Sequence, residues 1–196
     1  MLVPAASDPT PAFPPWVVCL DLQRDRSEAA PSPDLRGRIV ACQRLLAHAR
    51  RASWPLVHVL QGAEQVSPEA PRADRLAPIE GLQPRPFEPV LFRTGLSAFS
   101  NRRFRDLVAG GRRHVVLVGV ALGPACLATA LDAHDRGIPV TLVEDTLTSG
   151  ATHLFPAETV RGVLLGVASP YVRRVTSTRV LQLGAALAER PAANDW

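Results

Sequence analysis

The feature that most constrains this chain is a series of short, uninterrupted apolar runs, each followed by a segment of helical period. The runs are Trp16–Asp21 (WVVCLD), Pro55–Leu60 (PLVHVL), Val115–Val120 (VVLVGV) and Val140–Val143 (VTLV). None alternates apolar with polar residues, so each reads as a strand buried on both faces. Between them, Leu35–Arg51 places Leu35, Ile39, Cys42 or Val40, Leu46 and Ala49 at helical spacing, and Gly123–Arg136, Pro156–Gly166 and Ser177–Glu189 also read as helices. Strands alternating with helices require crossover connections. The expected fold is therefore α/β: three αβα layers around a central, mostly parallel, Rossmann-like sheet. In such a sheet the ligand site lies beyond the C-terminal ends of the strands.

Smaller signals complete the layout. Val90–Phe92 is a short strand ending at Arg93, Phe104–Ala109 a helix closed by Gly110-Gly111, and Tyr171–Thr176 the last strand. Gly123 and Pro124 suit the cap and first position of one helix and Gly137 its end, while Ser177 or Thr178 caps the final helix. Gln61–Pro89 is long, polar and Pro-rich, as a lid or binding loop is. Residues 1–15 read as a Pro-rich arm and 16–190 as a single domain, which a length of 196 residues fits. No apolar run approaches the roughly 20 residues of a membrane span. The N-terminus lacks the basic and apolar regions of a secretory signal, so the expected localisation is cytoplasmic. All 22 basic residues are arginine and the formal charge is only +4, which does not imply a nucleic-acid partner. The densest run, Asn101–His114, reads as a solvated helix face. Cys19, Cys42 and Cys126 lack any framework spacing; the first two are expected as reduced core thiols. The histidines are scattered, and no metal site or cofactor is expected.

Asp21, Gln61, Arg93 and the 120–126 turn all fall at strand ends. Cys126 lies at the start of the helix after the Val115–Val120 strand, where N–H groups and the helix dipole can activate a thiolate and hold an oxyanion. The stretch VVLVGVALGPACLATALDA resembles the signature of the isochorismatase-like hydrolase superfamily. In its cysteine amidohydrolases that signature runs Gly-x-x-Thr-x-x-Cys-Val-x-x-Thr-Ala-x-Asp-Ala. Aligned without a gap on Gly119, Thr129, Ala130, Asp132 and Ala133, the nucleophile column falls on Ala125, and Cys126 takes the column of the following Val. One residue turns a helix by about 100°, which aims the thiol away from the site. The superfamily's lysine, four residues before Ser97-Ala98-Phe99, is replaced by Arg93. Its first-strand acid is kept as Asp21 in Asp-Leu-Gln.

The resemblance implies the isochorismatase-like fold and a site built from Asp21, Arg93 and Ala125, with Cys126 as the alternative nucleophile. True isochorismatases carry Gly-Cys where this chain has Ala125-Cys126, and hydrolyse a vinyl ether without a covalent nucleophile. Gln61 matches a substrate-contacting Gln of that branch, but its Trp-Gly-Pro-Gly loop is missing and Ala121 replaces a Tyr. Ala121, Leu122 and Phe99 complete the expected substrate contacts. Arginine does not give up its proton, which suits Asp21 as a base activating water and Arg93 as a clamp on a substrate carboxylate. The leading expectation is a hydrolase of a small, anionic molecule working without a covalent cysteine intermediate. Two alternatives stay open: an inactive member that binds a ligand or partner, and a cysteine amidohydrolase using Cys126 in shifted register. The resemblance further implies a homo-oligomer, with the Pro156–Gly166 and C-terminal helices as contact surfaces.

Overall fold

The computed structural model describes residues 14–24, 35–62, 77–110 and 114–188, with side chains as far as 182. Its strands are β1 (Trp16–Leu20), β2 (Leu56–Gln61), β3 (Val90–Arg93), β4 (Val115–Gly119), β5 (Val140–Val143) and β6 (Arg173–Val175). They form a six-stranded sheet in the order β3-β2-β1-β4-β5-β6, paired in parallel throughout. The order reverses between β1 and β4, and in open α/β sheets ligands bind at the C-terminal ends of the strands beside such a reversal. β1, β2, β4 and β5 are buried along their whole length, as their uninterrupted apolar sequences require. Gly119 closes β4 where a Cβ would lie 3.1 Å from the Leu20 carbonyl oxygen.

The helices are α1 (Leu35–Arg51), α2 (Arg102–Ala109), α3 (Pro124–Asp135), α4 (Ala157–Ala168) and α5 (Ser177–Ala188). Cys42, Leu45, Leu46 and Ala49 of α1 and Val180 of α5 pack on one face of the sheet with Val17, Cys19 and Leu56. Phe104, Cys126, Ala130, Ala133 and Leu165, from α2, α3 and α4, pack on the other with Val18, Leu20, Val59 and Leu91. Each large apolar side chain withdrawn from water in these two layers contributes about 1.5–3 kcal/mol. This is the expected three-layer α/β architecture. Among the described residues no helix is long and apolar enough to cross a membrane.

Several element ends differ from expectation. The first strand stops at Leu20 instead of Asp21, because Asp21 has φ of 48°. The last strand covers only Arg173–Val175, on the sheet edge where little pairing partner remains. The final helix is capped by neither Ser177 nor Thr178: Thr176 Oγ1 accepts from the Arg179 N–H at 3.3 Å. Ser177 instead donates its N–H and its hydroxyl to the two oxygens of Asp145, both at 2.7 Å. Of the Gln61–Pro89 loop, residues 63–76 lie outside the described residues, as do 1–13 of the Pro-rich arm.

Candidate active site

Strand alternation by itself would place Asp21 on the wrong face. Val17 and Cys19 point to the α1 layer, Val18 and Leu20 to the α3 layer. Continued regularly, Asp21 would follow Cys19. The left-handed backbone at Asp21 breaks the alternation: Leu22 packs with Cys19 in the α1 layer, and the Asp21 carboxylate meets Arg93. By register with Leu91, Val59 and Leu20, Arg93 lies on the α3 side. Aspartate tolerates positive φ better than most residues, yet the conformation is a strained one, held by its surroundings.

The pair is bidentate. Arg93 Nε donates to Asp21 Oδ1 at 3.1 Å and Nη2 to Oδ2 at 2.9 Å. Both side chains are nearly closed to water, 5% and 7% exposed. Arg93 Nη1 donates to the Gly95 carbonyl at 2.7 Å, and Nη2 also reaches Gln61 Oε1 at 3.3 Å. The turn bearing Gly95 is held by Ser100, whose hydroxyl oxygen accepts from the N–H groups of Thr94 and Gly95 at 3.0 and 2.9 Å. All three guanidinium nitrogens therefore donate within the protein. That corrects the expectation of Arg93 as a substrate-carboxylate clamp, because such a clamp needs an open face of the fork.

Helix α3 starts near enough to this pair for the Asp21 charge to act on Cys126. Gly123 is extended and Pro124 occupies the first position, so no side chain caps the helix. The Leu127 N–H bonds Gly123 O at 3.1 Å, which leaves the N–H groups of Ala125 and Cys126 without an intrahelical acceptor. Ala125 is half-buried in this first turn. Cys126, one step on, is 3% exposed among the core residues of that layer. Burial pushes its thiol up to about 12, and the Asp21 charge nearby adds to the effect. Thr129 ties the turn to the Ser97-Ala98-Phe99 segment: its hydroxyl donates to Ala125 O at 2.7 Å and accepts from Ala98 N–H at 2.9 Å.

The other expected contacts are placed unevenly. Gln61 is buried against Arg93. Ala121 is half-buried and bridges Thr148. Leu122 is 3% exposed, in the core. Phe99 does not line the site either: it is buried, edge-on to Phe104 at 5.0 Å between centroids, with Arg136 5.1 Å from its ring centroid. An aromatic in a turn gives no sequence signal of which layer will claim it. Sequence reasoning also missed Gln23 and Thr129 as parts of the site, although both stand within the recognised segments.

Outside the site, Cys19 and Cys42 are free and buried, as expected. His58 is buried in β2 and bonds Glu88 Oε2 at 2.9 Å, while Arg50 grips both Glu88 oxygens at 2.7 and 2.9 Å. Burial works against charge on Glu88. The hydrogen bonds from Arg50, the Arg85 N–H and His58 outweigh it and hold the carboxyl at about 2. Among the described residues no group of three or more His, Cys, Asp or Glu could hold a metal ion.

A doubly wound parallel sheet, with an acid just past its first strand paired to a cation at the end of its third, defines a three-layer α/β protein of the isochorismatase-like type. The chain belongs to the isochorismatase family, whose domain model matches residues 15–162. Solved structures share the fold. A family member from Chromobacterium violaceum superposes with a TM-score of 0.78 at 24% identity, covering 88% of this chain and 94% of its own. An isochorismatase from Pseudomonas putida gives 0.70 at 21%, covering 83% and 88%. A cysteine hydrolase from Pseudomonas syringae pv. phaseolicola gives 0.74 at 17%, covering 87% and 92%. No curated protein gives a match.

Proposed function

We propose that the chain is a hydrolase of a small molecule that works without a covalent cysteine intermediate. The observation that carries this reading is the first turn of α3: Ala125 stands there, while Cys126 is 3% exposed with its thiol pushed up to about 12. A neutral, enclosed thiol is a poor nucleophile. Asp21 would serve as the base. A carboxylate has about four lone-pair sites, and Arg93 occupies two of them, so a water can still be held and activated. The N–H groups of Ala125 and Cys126, with the positive end of α3, would face the negative charge that develops on the substrate. With Arg93 committed to Asp21, a preference for an anionic substrate would rest on this helix end.

A turnover screen over amides, isochorismate and related vinyl ethers tests the reading, with Asp21→Ala and Cys126→Ala in parallel. Loss of turnover in Asp21→Ala with Cys126→Ala near wild type is expected. The converse would favour the cysteine amidohydrolase. The closed Asp21–Arg93 pair supports the second reading, a family member that binds without turning over, and no hydrolysis across the screen would favour it. We further infer a cytoplasmic homo-oligomer with no nucleic-acid partner. Val163 and Val167 of α4, 61% and 48% exposed, are the supporting feature for association. A strict monomer at high concentration in light scattering would count against it.

A further inference from the structure

We propose that Gln23 is a positioning residue of this site: its buried carboxamide replaces the stretch of β1 that Asp21 removes, and so fixes Gln61 and Arg93. The inference rests on Asp21 and Arg93 being the working pair. In a parallel ladder, β2 needs donors and acceptors from β1 along its whole length. Asp21 N–H still reaches Val59 O at 2.9 Å. One step further the left-handed turn has carried the β1 backbone away, which would strand the main-chain groups of Gln61 in a buried position. Gln23 fills the gap. Its Oε1 accepts from the Gln61 N–H at 2.9 Å, and its Nε2 donates to Gln61 O at 3.4 Å.

Gln23 is itself fully buried and firmly anchored. It bridges Pro78 in antiparallel fashion, with Leu22 O accepting from Ile79 N–H and Arg24 N–H donating to Ala77 O, both at 3.0 Å. From Gln61 the chain of bonds continues through Oε1 to Arg93 Nη2, and from Arg93 to both oxygens of Asp21. A primary amide is suited to this place because its N–H and C=O lie side by side, matching the N–H and C=O that one residue presents on a strand edge. The carboxamide therefore allows the sheet to tolerate a strained Asp21 without loosening the strand that orients Arg93.

The test is amide and guanidinium hydrogen exchange by NMR on isotope-labelled full chain, comparing wild type with Gln23→Met, which keeps length and removes both polar atoms. Exchange at Gln61 N–H and at Arg93 Nε–H should each accelerate about tenfold or more as the bonds are lost, and the Arg93 Nε–H resonance should shift. A lower melting temperature with Arg93 Nε–H unchanged would mean a merely structural residue and would overturn the proposal. If Gln23→Met does not fold, Gln61→Met decides: it cuts only the second link, so Arg93 Nε–H should loosen while the main-chain amide at 61 stays protected, and an unchanged Arg93 again overturns it. No turnover is read, so a failed search for substrate leaves the proposal standing, and an unmoved Arg93 defeats it even in an active enzyme.

Discussion

Thiol reactivity separates the readings of this site most directly. Burial shifts the Cys126 thiol from an ordinary 9.0 to about 12. Near neutral pH that lowers the thiolate fraction about a thousandfold, and the thiolate is the reacting species. Access adds a second barrier, since 3% of the residue is exposed and Leu20, Leu122 and Ala130 belong to the same packed layer. Cys19 and Cys42 are also buried, Cys42 with its thiol pushed up to about 12. Folded protein treated with iodoacetamide should therefore label Cys126 at least about a thousandfold more slowly than free glutathione does. In guanidinium chloride every cysteine should label at the ordinary rate. Peptide mapping by mass spectrometry assigns the label to its site. Stoichiometric alkylation of Cys126 within minutes in the folded protein, with loss of turnover, would refute the reasoning and restore a cysteine nucleophile.

Other expectations concern the bonds around the site. Arg93→Met should cost about 3–5 kcal/mol in urea unfolding, because it strands a buried carboxylate. Asp21→Asn should also cost about 3–5 kcal/mol, because it leaves the buried guanidinium without its counter-charge; a neutral effect of either substitution would contradict the described geometry. Thr129→Val should cost about 1–3 kcal/mol by leaving the buried Ala98 N–H unsatisfied, and a neutral effect would argue against the tie to Ala125. Acid should destabilise the fold in two overlapping ranges. The folded His58 lies below its ordinary 6.5 because of burial, so the unfolded chain binds more protons there and stability falls as pH drops below that value. Glu88 is held at about 2 against an ordinary 4.5, so its contribution is present above 4.5 and lost as pH falls toward 2. Glu88→Gln should flatten the lower part of a melting-temperature profile, and an unchanged profile would remove Glu88 from the account.

Strand direction and layering are legible in the amino-acid pattern. Uninterrupted apolar runs such as VVLVGV leave no polar face to expose, so the strands had to be covered on both sides, and the intervening helices had to provide the cover. The segments VVCLDLQ, RTGLSAF and VVLVGVALGPACLATALDA likewise imply that Asp21, Arg93 and the start of α3 stand beyond the C-terminal ends of the strands. Which way the site residues face depends on contacts made only in the folded chain. The positive φ at Asp21 reverses an alternation that the string WVVCLD predicts. Arg93, 72 residues away in sequence, supplies the partner that a buried carboxylate needs. No local pattern marks Gln23 as buried, and only the folded chain sets its carboxamide against the main chain of Gln61. Phe99 and Leu122, assigned to the site by position, were drawn into the core. Period and composition encode a residue's own face and burial. Strain and long-range hydrogen bonds depend on which distant groups the folded chain brings alongside, and no local pattern carries that information.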